Sequence, residues 1–382
     1  MSIVVMGATF VDIKGFPVDA YIPTGRNVGY IEYVHGGVSR NVVEDIANLE
    51  LRPTFLGIVD ESPLGVDVIK KLKDHKVNTE YMLTRPEGMG TWLAVFDNNG
   101  DVAGSISVRP DMMPLVEVLE EKGDEIFAKA SSVVMEVDLE KEIVKRTLDL
   151  CEKYNVPAYG VVSNMSIAAE RRDFLQRFDC FICNQGEAGL LFLDDYNDKT
   201  PREMAEILAV KVKAANIKAM VVTMGEQGAV YADINGMKGV CPARNVHVKD
   251  TTGAGDAFCA GVSAGLTYGK SLPEAIDIGS LLAASVITSS ENVCPRFLPR
   301  EVGIDIDVVD SQISKTELCA LSFYIVYRQL PAMLVGNALA SSIERSEESL
   351  QLKKHKNKCS TESCRAKILR LVTLAQNDIL PL

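Results

Sequence analysis

Short apolar runs bounded by turn residues alternate with longer amphipathic stretches along most of the chain. Ser2 to Met6 is apolar and β-branched and ends at Gly7; Thr54 to Val59, Ser132 to Glu136, Pro157 to Val162, Phe178 to Cys183 and Ala219 to Thr223 read as further strands. Between them, Val38 to Leu49, Pro63 to His75, Pro114 to Lys122 and Lys141 to Tyr154 predict helices. The alternation predicts an α/β fold, a three-layer α/β/α domain around a mostly parallel central sheet.

Three segments break the alternation. Val28 to Val34, Thr91 to Phe96 and Val102 to Val108 alternate apolar with polar residues, and Asn99-Gly100 lies between the last two as a hairpin turn. They predict a small antiparallel sheet outside the main one. A second hairpin is predicted around Asn235-Gly236, and a long helix over Leu272 to Ser289. Beyond residue 300 the pattern changes. Thr316 to Ala340 is apolar but holds Arg328, Gln329 and Pro331, which suits a docked helical hairpin better than a bilayer span. Glu344 to Lys367 is charged, with Lys353, Lys354, Lys356 and Lys358 clustered, and the irregular spacing of His355, Cys359 and Cys364 reads as a solvated tail rather than a metal site. Residues 1–300 therefore form the expected main domain, and residues 301–382 a weakly ordered extension.

At 382 residues and 47% hydrophobic, the chain is core-forming, and its net charge of −12 disfavours nucleic acid and anionic membranes as partners. A small anion held by local N–H groups and a metal remains compatible with that charge. The 9 cysteines are scattered and Ile3-Val4-Val5-Met6 has no basic flank, which predicts reduced thiols in a cytoplasmic protein. Cys180 and Cys183 fall on an apolar run and read as core.

Candidate chemistry concentrates in Asp250-Thr251-Thr252-Gly253-Ala254-Gly255-Asp256, followed by a helix over Ala257 to Leu266. Small residues before a helix N-terminus let the backbone approach an anion, with unpaired N–H groups aimed at it. Asp256 stands where a general base would, although an acidic first turn also suits a helix dipole. Asp12 follows the first strand and is either a turn residue or a ligand-binding one. Gly36-Gly37 precedes a helix that exposes Asn41 in its first turn. Asn184 and Glu187 end another strand, as a hard-cation site or a helix cap. Thr223, Gly225 and Gly228 form a glycine-rich turn after the last buried strand. A P-loop motif and the protein-kinase motif set are absent.

The segment from Asp250 to Gly261 resembles the C-terminal signature of the ribokinase-like, or PfkB, carbohydrate and nucleoside kinases, and Gly36-Gly37 to Asn41 resembles their N-terminal one. That resemblance implies ATP-dependent phosphorylation of a sugar or nucleoside hydroxyl, with Gly253, Ala254 and Gly255 as anion hole and Asp256 as base. It further implies acceptor contacts from Asp12, Gly36, Gly37, Asn41 and Asp111, and nucleotide contacts from Thr223, Gly225, Gly228 and Asn292. Magnesium would be placed through Asn184 and Glu187, and a monovalent cation, potassium, by Asp250 and the Thr252 carbonyl. The small sheet, over about 13–35 and 88–110, resembles the lid that covers the substrate in that family. Ser39, Val43 and Glu50 depart from the N-terminal pattern. Gly36-Gly37-Val38-Ser39-Arg40-Asn41 and Asp111-Met112 resemble the pseudouridine kinases of the family most. A homodimer through the lid is the assembly expected, and a non-catalytic sensor or an interaction protein acting through 301–382 are the rival readings.

Overall fold

The structure, a computed structural model, describes residues 2–306. The first half of the chain contains β1 (Ile3–Met6), β2 (Phe10–Pro17), β3 (Gly29–Gly36), α1 (Val38–Asn48), β4 (Thr54–Leu56), β5 (Ile58–Val59), α2 (Pro63–Asp74), β6 (Leu83–Thr84), β7 (Gly90–Phe96), β8 (Val102–Val108) and α3 (Leu115–Phe127). The second half contains β9 (Ser132–Glu136), α4 (Lys141–Tyr154), β10 (Ala158–Val161), α5 (Met165–Ala168), α6 (Arg172–Leu175), β11 (Cys180–Asn184) and α7 (Gln185–Phe192). These are followed by α8 (Pro201–Ala214), β12 (Ala219–Thr223), β13 (Ala229–Asp233), β14 (Lys238–Cys241), α9 (Ala254–Thr267) and α10 (Leu272–Ile287).

The central sheet runs β4-β1-β9-β10-β11-β12-β13-β14, parallel as far as β12 and antiparallel across the closing hairpin. Because side chains alternate along each strand, the sheet feeds two separate cores. Val4, Met6, Val133, Met135, Phe181 and Met220 pack against α3, α4, α7 and α8. Ile3, Val5, Val134, Val161, Ile182 and Val221 pack against α1, α2, α9 and α10 on the other face. This is the expected three-layer fold, and it gathers the C-terminal ends of the parallel strands along one edge, where ligands of such sheets bind.

The separate sheet runs β3-β2-β7-β8, with β2 and β7 parallel and the outer pairs antiparallel. Register puts Asp12, Lys14, Phe16, Tyr30, Trp92 and Phe96 on one face. Ile13, Ile31, Tyr33, Leu93, Val95 and Ile106 lie on the other, where Ile31 is 62% and Ile106 66% exposed. Phe16 stacks between Tyr30 and Phe96, at ring centroid distances of 5.2 and 4.8 Å.

Five expectations change. The lid sheet is mixed rather than antiparallel, because β2 and β7 run parallel. Asn41 is buried in α1 rather than exposed, because the helix packs over the turn after β1. Asp12 lies inside strand β2 of the lid rather than in a loop beyond β1. The run from Thr54 to Val59 divides at Gly57: Thr54–Leu56 joins the central sheet, while Ile58–Val59 turns away to pair with β6. Packing also passes residue 300, since Val302 and Ile304 are buried among the residues of α1, α9 and α10. A boundary at Arg300 would cut into that core. The expected hairpin at Thr316 to Ala340 and the basic cluster lie outside the described residues. Among the described residues no helix is long and apolar enough to cross a membrane.

Candidate active site

Helix α9 begins at Ala254, earlier than its apolar pattern suggests, because Gly253 takes a left-handed conformation (φ 79°) as its N-cap. A side chain there would overlap the Asn292 carbonyl oxygen, so both conformation and space require glycine. A Cβ on Gly255 would meet open space. Of the first-turn N–H groups, that of Ala254 donates to the Thr251 carbonyl (3.2 Å), while those of Gly255 and Asp256 border an open volume, the geometry of an anion site at a helix N-terminus.

Asp256 sits in that first turn and accepts a hydrogen bond from the Asn41 amide, Nδ2 to Oδ2 2.6 Å. Burial pushes its carboxyl up to about 7, against the pull of the Asn41 hydrogen bond and the Arg40 charge. The charges of Glu187 and Asp12 push the same way as burial. A carboxyl poised near neutrality beside an anion site suits proton acceptance from a hydroxyl.

The opposite wall comes from the junction of β3 and α1. Gly37, the N-cap of α1, has φ 98°, and a Cβ on it would lie 2.6 Å from the Ala8 carbonyl oxygen. The helix can therefore start directly over the turn after β1, which brings Asn41 to Asp256. Burial raises the Asp12 carboxyl, and the charges of Lys14 and Arg40 pull it back. Arg40 is 1% exposed and donates to the carbonyls of His35 and Gly36 at the end of β3. Its guanidinium also meets Glu44 at 2.5 Å, and Glu44 meets Lys71 at 3.1 Å. Glu136, at the end of β9, accepts from the N–H groups of Ala8 (3.2 Å) and Ser39 (3.0 Å). Burial, helped by the charge of Asp138, pushes its carboxyl up to about 8. Neither Arg40 nor Glu136 was singled out from sequence, where each is an ordinary charged residue on an amphipathic helix or at a strand end.

The other predicted residues divide. Asn184 and Glu187 form a capping box on α7: the Glu187 N–H donates to Asn184 Oδ1 (2.8 Å) and the Asn184 N–H to Glu187 Oε2 (2.7 Å). The cap reading is thus realised. Among the described residues no group of three or more His, Cys, Asp or Glu could enclose a metal ion. Asn184 and Glu187 together bring to the end of β11 oxygen donors of the hard kind that magnesium takes. Thr223 pairs with Asn184 across β11 and β12, so Gly225 and Gly228 follow at the same sheet edge. Asp250 accepts from the Thr252 N–H at 2.8 Å in an exposed turn. Burial would raise its carboxyl, but the Thr252 hydrogen bonds and the Lys14 charge bring it below its ordinary value. Asp111 is exposed and accepts from the Met113 N–H at 3.0 Å. Asn292, expected at the nucleotide, is buried with its amide donating to the His35 carbonyl (2.7 Å) and to Asn41 Oδ1 (3.4 Å). Its side chain faces the end of β3 and the first turn of α1.

The profile of the pfkB family of carbohydrate kinases matches residues 1–294. Guanosine-inosine kinase of Exiguobacterium acetylicum is 36% identical over 300 residues, covering 78% of this chain and 98% of that protein. Pseudouridine kinase of Escherichia coli (strain K12) is 25% identical over 276 residues, covering 72% and 86%. The structure of Arabidopsis thaliana ribokinase complexed with ribose and ATP superposes with a TM-score of 0.70 at 20% identity, covering 80% of this chain and 99% of that one. A kinase lid, a strand-end edge and a glycine-started helix with a carboxylate in its first turn agree with these likenesses: the chain belongs to the pfkB family of carbohydrate kinases.

Proposed function

We propose that this chain is an ATP-dependent ribonucleoside kinase, in the cytoplasm, with Asp256 as general base. The observation that supports this most is the 2.6 Å contact between Asn41 and Asp256 at the foot of a helix whose N-terminus is free to meet an anion. Asp12 and Asn41 orient the acceptor hydroxyl. Its oxygen attacks the γ-phosphorus, the bond to the β–γ bridging oxygen breaks, and the hydroxyl proton passes to Asp256, leaving ADP and a phosphomonoester. The turn Gly253-Ala254-Gly255 faces the charge on the transferred oxygens, the Gly255 N–H being available as a donor while that of Ala254 is shared with the Thr251 carbonyl. Asn184 and Glu187 would help to hold magnesium, which would supply neutralisation of the phosphate charge. Thr223, Gly225 and Gly228 border the nucleotide. Six free cysteines among the described residues suit a reducing compartment.

Two features favour a nucleoside over a free sugar. The relative at 36% identity is named for guanosine and inosine. Trp92, the chain's single tryptophan, pairs with Asp12 across β2 and β7 on the same face, placing a flat ring beside the hydroxyl-orienting carboxylate. Pseudouridine, suggested by the loop pattern, is the next acceptor to test. Protein with ATP and magnesium should convert guanosine or inosine to a monophosphate faster than ribose, with the nucleoside quenching Trp92 fluorescence and ribose leaving it unchanged. Turnover of ribose alone, or of no acceptor, would refute the nucleoside reading.

The outward lid face supports a homodimer as part of the same reading. Ile31, Tyr33, Leu93, Val95, Ile106 and Val108 leave an apolar patch exposed on one sheet face, of a kind that marks association sites. Sedimentation of the protein and of Ile106→Lys tests this: a dimer should become a monomer, and a monomeric parent would exclude it.

A further inference from the structure

We infer that Asn292 is a positioning residue for the base: it decides which end of the Asn41 amide faces Asp256, and it joins that setting to the end of β3 at His35 and to the turn that opens α9. The inference rests on the reading of Asp256 as general base.

The Asn292 amide nitrogen has two hydrogens. It donates to the His35 carbonyl at 2.7 Å and to Asn41 Oδ1 at 3.4 Å. With its oxygen end taken, Asn41 presents its NH2 group to Asp256, at 2.6 Å. The flipped amide would set a carbonyl oxygen against a carboxylate and an NH2 group against an NH2 group, two repulsive contacts in place of two attractive ones. The donor on Asn292 therefore selects the productive rotamer. The same residue's backbone carbonyl occupies the space where a Gly253 side chain would stand. Two residues on, the Cys294 N–H donates to Asp45 (2.6 Å) and the Cys294 carbonyl accepts from Asn48 (2.7 Å), which anchors the loop along α1. The end of β3, the anion turn and the base thus share one buried side chain and its backbone.

The groups whose charges act on Asp256 are Arg40 from α1, Asp12 from β2 and Glu187 from α7, while Asp45 from α1 and Cys259 on its own helix lie close enough that the Asp256 charge helps to raise their carboxyl and thiol. The side-chain hydrogen bonds of Asn292 go to His35 and Asn41 instead, so its removal acts through the Asn41 amide.

The test labels the aspartate carboxyls with 13C, assigns Asp256 by its loss in Asp256→Asn, and follows its resonance against pH. In Asn292→Ala the Asp256 midpoint should rise by about one pH unit, the scale of a lost charge-assisted hydrogen bond. In Asn41→Ala it should rise at least as far, and the double variant should match Asn41→Ala alone, because one change acts through the other. In turnover of guanosine with ATP and magnesium, Asn292→Ala should lose about tenfold in kcat with KM for ATP within about twofold, the balance expected when the orientation of a base is lost. Asn292→Ser serves if the alanine variant does not fold, and should also raise the midpoint. An unmoved midpoint, additive shifts in the double variant, or a raised KM for ATP without a shift would each overturn the inference. Full turnover in Asp256→Asn would instead defeat the base assignment itself, a different result from an unmoved midpoint.

Discussion

The acid side of the pH-rate profile is the most direct consequence of the site's electrostatics. The Asp256 carboxyl is held at about 7 by burial and by the neighbouring charges of Glu187 and Asp12, despite the hydrogen bond from Asn41 and the charge of Arg40. Only its ionised form accepts a proton, so kcat/KM, which reports the free enzyme, should fall as pH drops through that value. With a midpoint of about 7 the ionised fraction changes from about 0.9 at pH 8 to about 0.1 at pH 6, a loss of about tenfold. An aspartate at its ordinary value of about 4 would give no change over the same range. The assay is initial-rate phosphorylation of guanosine, with inosine in parallel, at fixed ionic strength and saturating ATP and magnesium from pH 5.5 to 9. Asp256→Asn should lower turnover by about 10² to 10⁴ and abolish the acid limb while leaving nucleotide binding in place. A profile flat from pH 5.5 to 8, or an unchanged turnover number in the variant, would refute the assignment.

Gly253→Ala should lower kcat by at least about tenfold, because the left-handed conformation costs alanine about 1 kcal/mol and the Cβ displaces the Asn292 backbone that borders the anion turn; rates with a normal melting curve check it. Arg40→Met leaves buried Glu44 to Lys71 and His75 alone and should destabilise the fold by about 3 kcal/mol in chemical denaturation. A chain ending at Ile306 should be more stable than one ending at Arg300 by about 4 kcal/mol, the worth of burying Val302 and Ile304; equal melting would show that these side chains add nothing. Potassium in place of sodium at equal ionic strength should raise the rate if Asp250 and Thr252 help to hold a monovalent cation, and equal rates would remove it from the mechanism.

The fold was legible because its signal is local and repeated. Strands buried on both faces give unbroken apolar runs, so Ser132–Glu136 and Ala219–Thr223 were placed from pattern alone, and Lys141–Tyr154 followed from helical spacing. The strand at Thr54 misled because burial continues through Val59, and hydropathy does not record that Gly57 turns the chain from one sheet to another. Helix α8 has a readable start signal in Thr200, Pro201 and Glu203, a capping box with proline in its first turn, but a less regular apolar stripe follows it.

The site was legible only where its chemistry is contiguous. Gly253, Gly255 and Asp256 share one turn, and a local string suffices to suggest an anion beside a base. Asn184 and Glu187 were equally visible, but the choice between cation ligand and cap depends on where two side chains point, which spacing leaves open. Asn292 is the extreme case. Its partners Asn41 and His35 lie 251 and 257 positions away, so position after a long helix says nothing of the contact that its amide makes with α1 and the end of β3. Arg40 and Glu136 were obscured for the same reason, since burial is what converts a common charged residue into a fixed contact, and burial of a polar side chain is set by tertiary packing. A functional residue defined by what it orients therefore leaves little trace in its own sequence neighbourhood, and the hydrogen-bond partners of buried amides and carboxylates are the place to look for it.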